Sequence, residues 1–308
     1  MKVRIGFTPG PFPSGAEGQG LLRQLVGLGD THGYDSIWLS DRVVGGTFPL
    51  EPLVALSMVA AYSDTLKFGT SVLALPLRNP VLLAKELATL DYLSNGRLLP
   101  AVGLGQENTA EYQACGVAKE NRGRRADEAI RVLRRLWQED LVTHEGTFFR
   151  FHDVTITPKP VQRPSPPIWI GGRSKAAQRR TGRIGDGWLV SQATPQEVDE
   201  AKELIFSTAT QYGRAIDEDH IGVMLGFCIA SSIEEASAIA EPHANRGRSD
   251  THYTNYCAIG PPEKAVAKIK EYLAAGASKF VVRPMCNAEE TKKQLDIFGQ
   301  EILPLLHG

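Results

Sequence analysis

The stretch GRLLPAVGLGQ, residues 96–106, combines a turn, a short apolar run and two glycines separated by one residue. An apolar run bounded by turn residues predicts a buried strand. Glycine is unfavourable inside a strand because it packs no side chain, and it is used where another backbone or a flat ligand approaches closely. The stretch therefore predicts either a tight strand-to-helix turn or part of a ligand site, and its surroundings decide between the two.

On both sides of this stretch, predicted strands alternate with predicted helices. The predicted strands are 3–8, 34–40, 67–75, 98–103, 167–172, 186–191, 220–230 and 279–284. Strands that alternate with helices form a parallel sheet, and eight such units close into a barrel. The sequence therefore predicts one α/β domain over residues 1–308 with the (β/α)8 TIM-barrel fold. Two segments break the rhythm and are predicted as insertions: about 143–167, after strand 4, and 245–260, before the last helix–strand unit.

Composition excludes several classes of function. The formal net charge is −1 and charged residues make up 22% of the chain, so neither nucleic acid nor a membrane is expected as a partner. The four cysteines lie far apart without a CxxC pair, and the seven histidines are scattered, so no metal site or disulfide framework is expected. The N-terminus lacks a signal-peptide pattern, and no apolar run approaches the ~20 residues that span a bilayer. We therefore expect a cytoplasmic protein.

Polar or glycine-rich segments end three of the predicted strands, and in such barrels the chemistry lies at the carboxyl ends of the strands. The segments are Ser40–Arg42, Gly103–Gln106 and Gly171–Ser174. Gly171, Gly172, Arg173 and Ser174 lead directly into a helix and offer free N–H groups, a hydroxyl and a cation, which suits a phosphate. The alternative is an ordinary N-cap by Ser174.

Several segments resemble the bacterial-luciferase-like oxidoreductases. The central one is GTSVLALPLRNPVLLAKELATLDYLSNGRLLPAVGLG, and EYQACGVAKENRGRRADEAIRVLRRLW, PKPVQRPSPPIWIGGRS, GRIGDGW, YDSIWLSDR and VRIGFT extend the likeness. Beyond about residue 191 the likeness is weak. The resemblance implies a TIM barrel that binds either FMN or the deazaflavin coenzyme F420 in its mouth.

The resemblance also implies a set of site residues. The coenzyme ring would lie against Gly103 and Gly105 and against a non-prolyl cis peptide bond between Ser71 and Val72, with its phosphate on residues 171–174. Ser40, Asp41 and Gln106 would orient the ring or polarise the substrate, and Arg42 would stabilise charge on a substrate oxygen; the alternative for Arg42 is a surface ion pair. The residues expected to be catalytic are Asp41, Arg42 and Gln106.

Two of these residues depart from the pattern of deazaflavin-dependent relatives. Many carry His where this chain has Arg42, and some carry a catalytic Glu where it has Gln106. A glutamine cannot transfer a proton as an acid, so a mechanism that depends on that Glu is not expected here.

The leading functional hypothesis is an oxidoreductase that transfers a hydride between F420 and a small organic substrate. The first alternative is a monooxygenase of the same superfamily that uses reduced FMN. The second is a barrel without redox function, such as a lyase or a binding protein. Relatives of this kind are commonly homodimers that associate through helices of the first half of the barrel, so we expect a homodimer.

Overall fold

A computed structural model describes residues 2–10, 12–13, 16–45, 50–106, 109–244 and 248–306. Its strands are β1 (Arg4–Phe7), β2 (Ser36–Leu39), β3 (Lys67–Thr70), β4 (Leu73–Ala74), β5 (Leu98–Leu99), β6 (Ala101–Gly103), β7 (Val142–Glu145), β8 (Arg150–Val154), β9 (Trp169–Gly171), β10 (Gly187–Ser191), β11 (Ile221–Ile229), β12 (Ala258–Gly260) and β13 (Lys279–Pro284). Its helices are α1 (Ala16–His32), α2 (Pro52–Tyr62), α3 (Pro80–Leu93), α4 (Thr109–Ala114), α5 (Arg122–Gln138), α6 (Lys175–Ile184), α7 (Pro195–Gln211), α8 (Ile233–Ala240), α9 (Pro262–Ala274), α10 (Thr291–Ile297) and α11 (Leu303–Leu306).

The parallel strands form a closed barrel. Hydrogen-bonded neighbours follow the order β4, β6, β9, β10, β11, β13, β1, β2, β3, β5. β3 and β4 are two parts of barrel strand 3, and β5 and β6 are two parts of barrel strand 4. The order begins with β4 and ends with β5, so its two ends belong to neighbouring strands of the barrel. β3 pairs with β5 and β4 pairs with β6, which closes the ring. The protein is therefore an eight-stranded (β/α)8 barrel, as predicted.

Strands 3 and 4 of the barrel are each interrupted. β3 and β4 are separated by Ser71 and Val72, whose peptide bond is cis, as the resemblance implied. β5 and β6 are separated by Pro100, which cannot donate to a strand ladder. The carbonyl of Pro100 accepts from the amide of Trp169, at 2.9 Å, and so still joins strand 4 to strand 5.

Local sequence signals fix the helix that precedes strand 4. The side chain of Asn79 accepts from the amide of Val81 at 2.9 Å, and Pro80 occupies the first helical position of α3. Leu83 and Leu87 follow at a spacing of four and are almost fully buried against the barrel. α3 therefore presents one apolar face to the sheet and contacts the start of strand 4 at β5.

Side chains along the barrel strands alternate between two layers. Outward-facing residues such as Phe7, Ile37 and Phe280 pack with the helices in the main core. Inward-facing residues form a separate cluster in the barrel, namely Trp38, Ala101, Trp169, Leu189 and Val281. Toward the carboxyl ends of the strands, several inward positions carry only glycine or serine: Ser40, Ser71, Gly103, Gly171, Ser191 and Gly226. The barrel is therefore packed at its middle and open at its mouth.

The amino end of the barrel is closed by a buried ion pair. Lys279 on β13 pairs with Asp35 and donates to the hydroxyl of Ser36 at 2.7 Å. The Lys279 side chain is 3% exposed and lies over the ring of Trp38. Burial raises the pKa of Asp35, but the attraction of Lys279 lowers it more, so the pKa of Asp35 lies below its ordinary value.

Two excursions leave the barrel near the segments predicted as insertions. β7 and β8 form an antiparallel hairpin, and cis proline bonds follow at Thr157–Pro158 and Arg163–Pro164. In the second segment β12 pairs with β11 at the barrel mouth, whereas residues 245–247 lie outside the described residues. The exact extent of both insertions stays a prediction.

Within the described part of the chain, no helix is both long enough and apolar enough to cross a membrane.

Candidate active site

A cavity of about 790 Å³ opens at the carboxyl ends of the barrel strands. That volume lies in the range of small-molecule and cofactor sites, ~300–1,000 Å³. Of the predicted site residues, all except Arg42 and Arg173 line it: Ser40, Asp41, Ser71, Val72, Gly103, Gly105, Gln106, Gly171, Gly172 and Ser174. They come from barrel strands 2 to 5 and the loops that follow them, so we call this part of the cavity the glycine side.

The glycines of this side make room first for a protein side chain. A Cβ on Gly103 would lie 2.6 Å from Cγ2 of Val72, and a Cβ on Gly171 would lie 2.5 Å from its Cγ1. Both distances are shorter than real Cβ contacts, so any larger residue would displace Val72. Strand 4 thus ends in glycine because Val72 packs across its end, and Val72 itself forms part of the cavity wall. The expected contact of a ligand with Gly103 stays a prediction, and Val72, which was also predicted to bind the coenzyme, packs beside it.

The start of α6 faces the cavity beside Gly172, whose φ of 120° is in a region that favours glycine. The hydroxyl of Ser174 accepts from the amide of Ala177 at 3.2 Å, so Ser174 is an N-cap. The first amides of a helix have no partner within it, and those of Lys175 and Ala176 remain available beside the cavity. The N-cap and the anion site that the sequence offered as alternatives are therefore compatible.

Asp41 is held by the protein itself. Its carboxylate accepts from the amide of Ala74 at 2.9 Å and from Arg78 at 3.0 Å, and its side chain is only 2% exposed. Burial lowers the pKa of Arg78, but Asp41 and Glu51 raise it more, so the guanidinium remains a firmly protonated partner. Asp41 therefore anchors β4 through Ala74 and is not presented as an open carboxylate.

The two predicted residues outside the cavity lining have different environments. Arg173 donates to the carbonyl of Gln192 at 3.1 Å, which turns its side chain toward strand 6. Arg42 packs its stem against Gly45, and no described carboxylate forms an ion pair with it. The surface ion pair that was the alternative for Arg42 is thus absent from the described residues.

Two polar groups of the glycine side have no protein partner there. The hydroxyl of Ser71 is buried and has no hydrogen-bond partner among the described residues. The side chain of Gln106 is exposed at the cavity rim. A buried polar atom without a partner is uncommon in a folded protein, and at a cavity wall it points to a ligand that supplies the partner.

The opposite part of the cavity comes from barrel strands 6 to 8 and β12, and we call it the arginine side. Its residues were not predicted from the sequence: Ser191, Gln192, Met224, Gly226, Tyr256, Cys257, Arg283 and Met285. The signal that could have found Arg283 is the alternation along β13, because Lys279 and Val281 face inward and place Arg283 inward as well.

The titratable groups of the arginine side stay protonated near neutral pH. Burial raises the pKa of the Cys257 thiol to about 12, so Cys257 is not a thiolate nucleophile. Burial and the nearby Cys257 raise the pKa of Tyr256, while three guanidinium groups around it oppose the shift. Burial lowers the pKa of Arg283, yet arginine keeps its proton in proteins. This side therefore offers donors rather than acceptors.

A separate acidic group lies at the amino end of β11, away from the cavity. Potential ligand atoms of Asp217, Asp219 and His220 lie within 4.8 Å of one another. Asp219 already pairs with Arg4, and the His220 ring contacts the carbonyl of Asp186 at 2.7 Å. Their existing partners account for these side chains, so they do not define a metal site.

Comparison with known proteins identifies a family, related enzymes and a solved structure with the same fold. The profile of the luciferase-like monooxygenase family matches residues 6–249. An F420-dependent glucose-6-phosphate dehydrogenase from Kineococcus radiotolerans is 29% identical, over 93% of this chain and 93% of that enzyme. An FMNH2-dependent dimethylsulfone monooxygenase from Pseudomonas putida is 30% identical over 73% of this chain, which corresponds to 59% of that enzyme. A monooxygenase from Streptomyces bottropensis has the same fold, with a TM-score of 0.84 at 23% identity over 98% of this chain and 99% of its own.

The closed parallel barrel, with a cavity of ligand-binding size at its carboxyl end, places the protein among the TIM-barrel proteins that carry their site there. Within that class, the chain belongs to the luciferase-like monooxygenase family. Its relatives include both F420-dependent and FMN-dependent enzymes.

Proposed function

We propose that the protein transfers a hydride between coenzyme F420 and a small organic substrate. The observation that carries the proposal is the glycine side of the cavity, which runs from Val72 to the start of α6. It combines the apolar side chain of Val72, an unpartnered hydroxyl on Ser71 and the start of helix α6. These features fit a planar ring joined to a phosphate.

The start of a second helix at the cavity supports the choice of F420 over FMN in this proposal. α5 also begins there: Arg122 and Gly123 line the cavity, and Asn121 makes no side-chain cap at its start. A second helix N-terminus beyond the phosphate position suits further negative charge, which the acidic tail of F420 carries and FMN lacks. The F420-dependent relative from Kineococcus radiotolerans also matches along 93% of both chains.

The proposed roles of the residues follow from their positions. Val72, backed by Gly103 and Gly171, supports the ring, while Ser71 and Gln106 donate to its polar edge. Ser40 orients the ring indirectly, because its hydroxyl donates to the carbonyl of Ser71 at 3.3 Å. Gly105, with a φ of 73°, turns the chain away from the ring. Gly172, Ser174 and the α6 amides hold the phosphate, and Arg173 contributes positive charge near them. Asp41 acts as a positioning residue through Ala74 and Arg78, and Arg42 approaches the substrate from the rim.

The coenzyme, when bound, supplies the hydride chemistry, and the protein supplies positioning and proton donors. The Tyr256 hydroxyl forms no hydrogen bond to the described residues, and its raised pKa keeps it protonated. We propose that it donates to a substrate oxygen as charge develops there. Gln106 can polarise the same oxygen but cannot protonate it.

The FMN-dependent alternative is supported by the Pseudomonas putida relative, which is 30% identical over 73% of the chain. In that case reduced FMN would occupy the same glycine side, and oxygen would be consumed together with the substrate. The α5 terminus would then have no coenzyme group to bind.

Equilibrium titration with both coenzymes tests the proposal. We expect F420 to bind at least tenfold more tightly than FMN, with the fluorescence of the coenzyme as the measure of binding. Tighter binding of FMN, with substrate-dependent oxygen uptake only in the presence of reduced FMN, would favour the monooxygenase. Binding of neither coenzyme by folded protein would overturn the proposal and favour a barrel without redox function.

A further inference from the structure

Arg283 stands inside the barrel mouth on the arginine side. On β13, Phe280 and Val282 pack outward into the main core, whereas Val281 belongs to the inner cluster. Alternation therefore points Arg283 inward, and it lines the cavity. Its neighbour in register on β11 is Gly226, which has no side chain to cover it.

The positive charge of Arg283 is not compensated by the protein. No described carboxylate lies within ion-pair distance, and its guanidinium forms no hydrogen bond with the described residues. Two carboxylates of this region, Glu197 and Asp250, are paired with Arg248 instead, at 2.7 Å and 2.8 Å. By contrast, Arg180, which lines the glycine side, is paired with Asp127. Arg283 is only partly exposed, so its unpaired charge at the cavity wall indicates a ligand that brings the opposite charge.

A second unpartnered donor lies on the same side. The side-chain nitrogen of Gln192 is buried and has no hydrogen-bond partner among the described residues. Its backbone is held in place with a φ of 57°, and its carbonyl accepts from Arg173 and Arg248. Together with the Tyr256 hydroxyl, the arginine side therefore offers several donors and no open acceptor carboxylate among its described residues.

We infer that the substrate carries an anionic oxygen group, such as a carboxylate, a phosphate or a sulfonate, and that Arg283 binds this group. The inference rests on the proposed function, since it assigns the part of the cavity that the coenzyme leaves open. Strand 8 lies three strands away from strand 5 around the barrel, so Arg283 and the start of α6 belong to different sides of the cavity. Gln192 and Tyr256 would direct the rest of the substrate toward the ring.

Calorimetric titration with sulfate, succinate and the neutral analogue succinamide tests the inference at constant ionic strength. It is run with and without saturating coenzyme, on wild type, Arg283→Met and Arg283→Lys. Arg150→Met is the matched control, because Arg150 is 71% exposed on the hairpin, outside the cavity. We expect Arg283→Met to weaken binding of both anions at least about tenfold, as for loss of a charge-assisted hydrogen bond. Arg283→Lys retains part of the affinity, Arg150→Met retains all of it, and succinamide does not bind.

The inference is overturned if Arg283→Met binds the anions as tightly as wild type, if wild type binds succinamide as well as succinate, or if wild type binds neither anion. Coenzyme affinity is measured on the same variants and should change by less than about threefold in Arg283→Met. A larger loss would assign Arg283 to the coenzyme tail and overturn the inference. If wild type binds no coenzyme but the anion result holds, the proposed function fails while the anion site stands.

Discussion

At the scale of single residues, Val72 organises the glycine side of the cavity. Its two methyl groups occupy the space that Cβ atoms on Gly103 and Gly171 would need. The sequence shows that Gly103 and Gly171 are glycines, but it does not show why. The reason is their contact with Val72, and the three residues come from three different strands of the barrel. The cis bond at Ser71–Val72 was expected only through the family resemblance, since nothing in the local sequence predicts one.

Gly103→Ala should destabilise the protein by ~1–3 kcal/mol through overpacking against Val72. In the double variant Gly103→Ala/Val72→Ala most of that loss should disappear, because the colliding methyl group is gone. Urea unfolding of the four proteins of this cycle measures the coupling. Gly27→Ala is the control, since a Cβ there meets no atom within 4 Å and should be neutral or stabilising. Additive effects in the cycle would contradict the packing described for Val72.

At the scale of elements, helix ends and strand ends create the site. The boundaries of α2 and α3 could be predicted from local signals such as Asn79 and Pro80. α4 and β12 were missed, because short elements carry too little periodicity to stand out. Arg283 was missed as a site residue. Its neighbours in the cavity come from other strands, so the sequence alone does not show that it has no counter-ion there.

Ser174→Ala and Thr194→Ala separate the two roles of Ser174. Both residues are N-caps, of α6 and α7, and each substitution should cost about 1 kcal/mol of stability. Only Ser174 lines the cavity, so only Ser174→Ala should weaken coenzyme binding, by about tenfold if its hydroxyl also contacts the phosphate. Equal coenzyme affinities for the two variants would show that the start of α6 does not hold the coenzyme.

Lys279→Met should destabilise the barrel by ~3 kcal/mol near neutral pH, because it leaves Asp35 at the amino end without its main partner. Burial raises the pKa of Asp35 but the attraction of Lys279 lowers it more, so the pKa is lower in the folded protein than in the unfolded chain. The ion pair therefore stabilises the fold above the pKa of Asp35 in the unfolded chain, and this stability is lost as the pH falls through the pKa of Asp35 in the folded protein. The difference from wild type should therefore shrink in acid. Denaturant unfolding from pH 7 to pH 3 measures it.

Lys67→Met is the control for this pair. Lys67 is 45% exposed and lies 3.7 Å from Asp35, so its loss should cost less than about 1 kcal/mol. A pH-independent difference between wild type and Lys279→Met would contradict the ion-pair explanation.

At the scale of the whole molecule, the barrel was predictable because eight strand–helix units repeat and the sheet rules leave few ways to join them. The association state was expected only from the resemblance. One apolar surface is available for such an interface: Val54, Met58 and Tyr62 recur on one face of α2 and are 66%, 43% and 36% exposed.

We predict that wild type is a homodimer through this face. Val54→Glu/Met58→Glu should shift it to monomer, because two carboxylates would enter the apolar contact on each copy. Light scattering coupled to size-exclusion chromatography measures the mass. Ile239→Glu on α8, an exposed apolar position in the second half of the barrel, should leave the mass unchanged. A wild-type protein with the mass of a monomer would contradict this prediction.

The most direct test of the central claim is a crystal structure of the protein grown with F420 and, separately, with FMN. We predict that the ring of the bound coenzyme lies against Val72 and that its phosphate lies within hydrogen-bond distance of the first amides of α6. Arg283 should make no contact with the coenzyme. A coenzyme bound elsewhere, or a glycine side filled by the protein's own side chains at saturating coenzyme, would contradict this account.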